Sequence, residues 1–243
     1  MARPLTSRPQ LSDEVAAHLR EAIMSGALHP GQFVRLDAVA AELGVSVTPV
    51  REALLALRGE DMVELEPRRG FVVSPLSRRD VEDMFRLQAD LAAQLVARAT
   101  ELITPEQLRH VEQVALDLAA AQGHQELSAL EYEFHRLINK SAASRKLARF
   151  LDMASRYVPA RVYTADPQWH LQVVSDHTAI LAALRSRDPD AARAAALRHV
   201  QDGEQRLLRH LDAVGMWSPQ RNPDSPAVDN SAPVHSHPST KID

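Results

Sequence analysis

Residues 36–58, LDAVAAELGVSVTPVREALLALR, contain two short helical segments separated by a turn, and this stretch decides the fold. Ala40, Gly44 and Val50 stand where a helix-turn-helix needs a small residue, a turn residue and an aliphatic residue. A small residue lets the second helix approach the first, and glycine accepts the positive φ that ends the first helix. The stretch therefore predicts a helix-turn-helix, which contacts DNA through the start of its second helix.

The start of that second helix carries the candidate contacts to DNA. A serine at the N-cap accepts a hydrogen bond from a free backbone N–H, which assigns the cap to Ser46. Proline is favoured in the first turn of a helix, where no hydrogen bond is lost. Four residues at this start are candidates for contact with base edges and phosphates: Ser46, Thr48, Pro49 and Arg51.

The segments on either side predict a winged helix-turn-helix. An apolar stripe predicts a first helix over 11–25 that stops at Gly26, and two strands are predicted at 63–67 and 71–75. Three residues join these strands in a hairpin with a basic tip: Arg68, Arg69 and Gly70. The alternative is a small packing module with a solvated arginine turn. The turn signature, the helix start and the basic wing together favour DNA binding.

The composition is that of a globular protein, but its charge is unusual for a DNA-binding protein. The 243 residues carry a net charge of −4 and no cysteine, which excludes a disulfide framework and fits a reducing cytoplasm. No apolar segment follows the two N-terminal arginines, and no run of about 18 apolar residues occurs, so neither a secretory signal nor a membrane span is expected. DNA binding must therefore depend on where individual arginines point.

The remainder of the chain predicts a mainly α protein, with an all-helical antiparallel bundle after the winged helix-turn-helix. Alanine- and leucine-rich patterns predict helices at 78–101, 105–121, 125–140, 144–163, 168–186 and 190–213. The predicted regions are a DNA-binding domain at 1–74, a linker at 75–79, a helical ligand- and metal-binding domain at 80–214 and a tail at 215–243. The tail is rich in Pro, Ser, Asp and Asn, which predicts disorder.

Ionisable residues lie on the inner faces of three predicted helices, where apolar residues belong. Glu131 and His135 lie one turn apart beside an apolar stripe, and His177 and His199 line up with aliphatic residues on two other helices. Burying these groups without partners costs several kcal/mol each. A divalent metal such as Zn²⁺ removes that cost, since one carboxylate and three imidazoles suit it. Hydrogen-bonded core histidines are the alternative.

Arg86 is the candidate for holding an anionic ligand. It flanks the inner side of helix 78–101, and a guanidinium at the edge of a cavity suits a carboxylate. Asp90 lies four residues further on, so an ordinary ion pair on the helix surface is the alternative.

The pattern resembles the GntR family of bacterial transcription regulators, in its FCD-domain (FadR-like) branch. The resemblance runs from about residue 9 to 213, and its most specific part is LGVSVTPVREAL followed by PRRGFVV. The second half adds FRLQADLAAQLVA, EYEFHRLI, SDHTAILAAL and the helix that carries His199. It implies a homodimer that binds a palindromic operator in double-stranded DNA, with its affinity changed by a small carboxylate effector. It also implies that Thr48 and Arg51 contact DNA and that Gly70 lets the wing approach the minor groove.

The same resemblance assigns the polar cluster and marks three departures from the family pattern. It implies that Arg86 faces the effector and that a divalent metal, zinc or else nickel or manganese, is bound by Glu131, His135, His177 and His199. Val47 stands where arginine is frequent, Glu131 where aspartate is frequent, and Ser144 where asparagine often follows the ligand helix.

Three classes of function compete on the sequence alone. A ligand-responsive cytoplasmic regulator with no enzymatic activity accounts for both halves of the chain. A metal-dependent enzyme using the same Glu/His site accounts for the metal but leaves the DNA-binding half without a role. A helical scaffold with a degenerate DNA-binding module leaves the buried polar residues unexplained.

Overall fold

The computed structural model describes residues 11–217, which form a helical chain with one small sheet near its start. The elements in chain order are α1 (Leu11–Met24), β1 (Phe33–Val34), α2 (Leu36–Leu43), α3 (Val47–Gly59), β2 (Val63–Glu66), β3 (Gly70–Val73), α4 (Arg78–Leu102), α5 (Pro105–Ala120), α6 (His124–Ser141), α7 (Arg145–Ser155), α8 (Ala160–Thr164), α9 (Pro167–Ser186) and α10 (Pro189–Ala213). The predicted disorder of 218–243 falls outside the described residues.

The predicted helix-turn-helix is confirmed. Helix α2 ends at Gly44, which has a left-handed φ of 66°, and the Gly44 N–H donates to the Ala40 carbonyl. Ala40 and Val50 are buried between the two helices. Ser46 is the N-cap of α3, as predicted, but its side chain accepts no capping hydrogen bond. The Ser46 side chain is instead exposed at the surface that a recognition helix offers to DNA.

The wing is a three-stranded antiparallel sheet in the order β1-β3-β2, and the sequence predicted only two of its strands. In β1, Phe33 pairs with Val72 and Val34 pairs with Phe71. Two residues are too few to show the alternation that identifies a strand. The extra strand pairs with one edge of β3, and β2 pairs with the other edge.

The helical domain follows the predicted order with one correction. Thr104 and Gln107 form a capping box at the start of α5, and Asp188 caps α10. The single helix predicted over 144–163 is two helices, α7 and the five-residue α8. Pro159 precedes α8, and a proline removes a backbone donor and disfavours helical geometry in the residue before it.

The core runs without a break from the DNA-binding domain into the helical domain. Leu19 of α1 and Leu207 of α10 belong to the same apolar cluster, as does Met216, which is 1% exposed. The packed chain therefore extends beyond 214 to include this methionine. A second cluster around Phe134 and Ile180 fills the far part of the bundle. None of the helices within 11–217 is long and apolar enough to cross a membrane.

Candidate metal centre and DNA-binding face

Four side chains from three helices converge in the helical domain, as the sequence predicted. Glu131 and His135 come from α6, His177 from α9 and His199 from α10, and one ligand atom from each lies within 4.8 Å of the others. Oε1 of Glu131 lies 3.2 Å from Nε2 of His135 and 3.3 Å from Nε2 of His199. Oε2 of Glu131 lies 3.2 Å from Nε2 of His177. These separations suit a single ion among the four side chains.

Packing fixes the orientation of the most buried member of this cluster. His177 is 1% exposed, and its imidazole stacks on the ring of Phe134 with centroids 3.7 Å apart and planes 10° apart. Phe134 lies between Glu131 and His135 on α6, so the same helix supplies two ligands and the surface that orients a third. The ring of His177 therefore has little freedom to turn away.

Three polar atoms of the cluster lack the hydrogen bonds that buried polar atoms normally make, and a cation could satisfy them. Both ring nitrogens of His177 and Oε2 of Glu131 are buried and form no hydrogen bond among the described residues. Although Nε2 of His177 and Oε2 of Glu131 lie 3.2 Å apart, they do not form a hydrogen bond with each other. Leaving a buried polar group unsatisfied costs about 1–3 kcal/mol. A divalent metal would bind both Oε2 of Glu131 and Nε2 of His177, and carboxylate oxygen and imidazole nitrogen are ligands of zinc. The side chains of this cluster therefore fit a divalent metal ion.

The ionisation of the cluster also suits a metal. Burial works to raise the pKa of Glu131, but the surrounding histidines hold it well below its usual value. Burial lowers the pKa of His177 to about 4 despite the neighbouring carboxylate. For His199, burial is outweighed by hydrogen bonds to Asp176 and Glu131, which raise its pKa to about 9. At neutral pH Glu131 and His177 are already in the forms that bind a metal, while His199 must release a proton.

Asp176 is a candidate site residue that the sequence did not predict. Its Oδ2 lies 3.4 Å from Nδ1 of His199, and its Oδ1 accepts a hydrogen bond of 2.9 Å from Nε2 of Gln172. A carboxylate on the far nitrogen of a ligating histidine fixes the tautomer and the ring orientation. The sequence does contain a signal, because Gln172 and Asp176 lie one turn apart on the same helix and Asp176 immediately precedes His177.

A cavity of about 440 Å³ lies beside the cluster. Glu131, His135 and His199 line it, whereas His177 lies behind them, so an ion held by all four would face the cavity. The walls are largely apolar, and the ionisable side chains that also line them include two cations and two carboxylates besides the cluster: Arg136, Lys140, Asp152 and Asp202. This arrangement accommodates a small molecule that is partly apolar and carries an acidic group.

The structure does not bring Arg86 to this cavity. Its side chain is 73% exposed, and Nη1 lies 3.2 Å from Oδ1 of Asp83, so its ion pair is formed with Asp83 and not with Asp90. Phe85 and Ala89 face the interior of the bundle, and Arg86 follows Phe85 by about 100° around α4. Arg86 therefore does not line this cavity, and its contact with an effector stays a prediction, whereas Arg136 and Lys140 are cations that do line the cavity.

The predicted DNA contacts lie at the surface of the winged domain. Ser46, Thr48 and Arg51 are exposed at the start of α3, and Pro49 is half-buried. Arg68 and Arg69 are exposed at the turn between β2 and β3, immediately before Gly70.

The two wing arginines are held differently. Nη1 of Arg69 donates a 2.9 Å hydrogen bond to Glu66, and its guanidinium carbon lies 4.4 Å from the centroid of the Phe33 ring. These contacts hold Arg69 against the wing and partly neutralise it. Arg68 precedes Arg69 in the turn and takes part in neither of these two contacts.

Two protein families match this chain, one on each part of the fold. The family described as "Bacterial regulatory proteins, gntR family" matches residues 11–73, which contain the helix-turn-helix and the wing. The FCD domain matches residues 83–202, which contain the four residues of the polar cluster.

Relatives of similar length are bacterial regulators. The HTH-type transcriptional regulator McbR of Escherichia coli K12 is 26% identical over 194 residues, which cover 75% of this chain and 86% of McbR. The Nta operon transcriptional regulator of Aminobacter aminovorans is 28% identical over 202 residues, covering 81% of this chain and 94% of that protein. The solved structure of E. coli McbR/YncC matches with a TM-score of 0.66 at 24% identity, covers 84% of this chain and 99% of its own, and shows the same fold.

Proposed function

The chain is a DNA-binding transcription regulator of the gntR family with an FCD domain, and from this premise we propose that a small carboxylate bound beside a metal ion in the helical domain controls its affinity for an operator. One observation carries the proposal. The buried Glu/His cluster, with its unsatisfied atoms on Glu131 and His177, adjoins a cavity large enough for a small molecule. That cavity lies in the domain attached to the DNA-binding module.

Four residues would hold the metal: Glu131, His135, His177 and His199. The ion we propose is zinc, with nickel or manganese as alternatives that the same ligands accept. When bound, it would supply a positive charge at the wall of the cavity, where it attracts an anionic group. Asp176 would hold His199 in the orientation required for binding.

The effector we propose is a small carboxylate with an apolar part. Its acidic group would lie beside the metal, and its apolar part would contact the aliphatic and aromatic walls. We assign to Lys140 the role that the sequence assigned to Arg86, because Lys140 lines the cavity, whereas the other basic residue there, Arg136, donates hydrogen bonds to Glu133. A charged hydrogen bond to a carboxylate is stronger than one between neutral groups.

The operator contacts we propose begin at α3. Thr48 and Arg51 would contact bases or phosphates, and Ser46 and Pro49 would shape the start of the helix. Gly70 lets the wing approach the minor groove, with Arg68 and Arg69 beside it. One winged domain covers one half-site, so a homodimer on a palindromic operator is the matching assembly.

The proposed regulatory role predicts where the protein is located and argues against the enzyme hypothesis. A regulator must reach the bacterial chromosome, so we place this protein in the cytoplasm. We do not favour a metal-dependent enzyme using the Glu/His site, because both matched families and the relatives are regulators. Hydrolytic turnover that a chelator abolishes would restore the enzyme hypothesis.

A thermal-shift screen of small carboxylates, run with zinc and again with EDTA, tests the effector hypothesis. A ligand at about 100 times its Kd adds about 2.7 kcal/mol of stability, which is readily measured. We expect at least one carboxylate to raise Tm only when zinc is present. In parallel, duplexes are selected with the full-length protein from a random library, and the carboxylate is added to the binding assay. An affinity for the selected duplex that no stabilising carboxylate alters would refute the proposed control.

A further inference from the structure

Residues 155–164, a segment that includes α8, form part of the cavity wall. Ser155, Val158, Ala160, Tyr163 and Thr164 all line the cavity. The hydroxyl of buried Tyr163 donates a 3.0 Å hydrogen bond to the carbonyl of Gly203, which lines the same cavity from α10. A change in what fills the cavity therefore acts directly on this segment. We call residues 155–164 the wall segment.

The wall segment also donates two backbone hydrogen bonds to one carboxylate of the DNA-binding domain, beside the apolar packing of Tyr157, Val158 and Val162 against the shared core. Oε2 of Glu21, on α1, accepts a 3.1 Å hydrogen bond from the backbone N–H of Ala160. Its Oε1 accepts a 2.9 Å hydrogen bond from the N–H of Arg161. The first N–H groups of a helix have no partner within the helix, and a carboxylate makes strong hydrogen bonds to them. Glu21 thus joins α1 to α8 across the domain boundary.

The residue before Glu21 on α1 continues this connection to the recognition helix. Arg20 is 8% exposed and donates two hydrogen bonds of 2.9 Å to the carboxylate of Glu60. Glu60 is the C-cap of α3. A contiguous series of contacts therefore runs from the cavity wall through Glu21, α1 and Arg20 to the end of α3. Coupling between distant sites is carried by such packed and hydrogen-bonded series.

Two further contacts join the C-terminal end of α1 to the helical domain, and both lie away from the cavity. Nε2 of His210 lies 2.8 Å from the carbonyl oxygen of Ser25, and Gly26 packs so closely on Val214 that an added Cβ would lie 2.7 Å from it. Neither His210 nor Val214 lines the cavity. These contacts join the end of α1 to the end of α10, whereas the Glu21 carboxylate is hydrogen-bonded to the wall segment itself.

We propose that Glu21 is a positioning residue that couples the ligand cavity to the recognition helix by holding the backbone amides of Ala160 and Arg161. The inference deepens the proposed function and rests on it, because that function makes the cavity the source of the signal. A ligand that displaces Tyr163 or the start of α8 changes the hydrogen bonds of Glu21. The altered position of α1 then reaches α3 through Arg20 and Glu60.

A double-mutant cycle tests the coupling without requiring the natural effector. The full-length protein is compared with Tyr163→Phe, Glu21→Gln and the double variant by hydrogen exchange and mass spectrometry. Tyr163→Phe removes only the hydroxyl that bonds Gly203, so it perturbs the wall segment gently. We expect it to increase exchange several-fold in peptides from α1 and α3. In the Glu21→Gln background, the same substitution should add no further change there.

Glu14→Gln is the matched control, because Glu14 is an exposed glutamate on the same helix. The effect of Tyr163→Phe should persist in that background. Contacting or coupled residues give non-additive effects, whereas independent residues give additive ones. An effect of equal size with and without Glu21→Gln would overturn the proposal. So would the absence of any effect of Tyr163→Phe on α1 and α3.

A second measurement separates this inference from the proposed function. Zinc binding is measured by calorimetry, and affinity is measured for a duplex selected by the unmodified protein. Glu21→Gln should keep its Kd for zinc within about twofold, while Tyr163→Phe should change the duplex affinity only when Glu21 is present. Failure of the unmodified protein to bind zinc would contradict the proposed metal control, yet the hydrogen-exchange cycle would still decide the coupling.

Discussion

Oδ2 of Asp176 lies 3.4 Å from Nδ1 of His199, so a carboxylate on α9 orients an imidazole on α10. The other nitrogen of that imidazole, Nε2, is thereby directed toward Glu131, 3.3 Å away. Gln172 in turn holds the second oxygen of Asp176. The proposed metal centre thus has a supporting layer of hydrogen bonds behind one of its ligands.

Asp176→Asn should weaken zinc binding about 10- to 100-fold, because the loss of such a supporting carboxylate typically has that effect. Competition with a chromophoric chelator measures the change. Asp117→Asn is a matched control, since Asp117 also accepts a hydrogen bond from a glutamine one turn before it, Gln113, but on exposed α5 positions. If the unmodified protein, Asp176→Asn and Asp117→Asn all bind zinc with equal affinity, Asp176 does not support the metal site.

His177→Ala should abolish stoichiometric zinc binding, because it removes the most buried of the four ligands. The variant also loses the stacking of His177 on Phe134, so its Tm should fall even with EDTA present. The diagnostic quantity is therefore the difference in Tm between zinc and EDTA, which should vanish. His110→Ala, at an exposed position on α5, should retain that difference. A full zinc content in His177→Ala would refute the assignment.

Zinc affinity should rise with pH from about 6.5 toward 9. The pKa of His199 is raised to about 9 in the metal-free protein, so at pH 7 its imidazole carries a proton that a metal must displace. Above that pKa no proton remains to be displaced, and the pH dependence should flatten. Calorimetry in two buffers of different ionisation enthalpy measures the release, which should be about one proton near pH 7. Zinc binding without proton release would contradict the assigned ionisation.

Arg51→Ala should weaken binding to a selected duplex by about 1–3 kcal/mol if Arg51 contacts a base. Arg51 is exposed at the start of α3, where the recognition helix meets DNA. Arg98→Ala, an exposed arginine on α4, tests whether any loss of positive charge has the same effect. Titrations at matched salt are required because phosphate contacts depend on ionic strength. Unchanged affinity for Arg51→Ala would remove it from the interface.

Lys140→Ala should weaken the binding of a carboxylate found in the thermal-shift screen, whereas Arg86→Ala should leave it unchanged. Lys140 lines the cavity, and Arg86 points outward in its ion pair with Asp83. The Kd of the carboxylate is measured by calorimetry in the presence of zinc. The reverse result, with only Arg86→Ala impaired, would return Arg86 to the effector site.

Most of the fold could be predicted because local patterns specify local structure. Gly44 marks the turn of the helix-turn-helix, and Thr104 with Gln107 marks the start of α5, since these residues satisfy backbone requirements within one turn. Apolar periodicity located the long helices. It did not locate the two-residue β1, and it missed the interruption before Pro159 between α7 and α8.

The candidate site was predictable only in part. Glu131 and His135 stand out from the sequence because they lie beside an apolar stripe on their helix. Asp176 does not, because its importance depends on a neighbouring helix that brings His199 to it. The outward position of Arg86 could not be predicted for a related reason, because a residue at the edge of a stripe turns inward or outward according to how the helix packs.

The sequence by itself determined that a winged helix-turn-helix precedes a helical domain, and which four polar side chains face inward. Hydrogen bonding along the chain and the period of apolar residues are local properties, so they can be recognised without the fold. Only the tertiary structure decided that Asp176 supports His199, that Arg86 leaves the cavity and that Glu21 reaches the amides of α8. These relationships join residues from separate elements, and their distances follow from how the elements pack against one another.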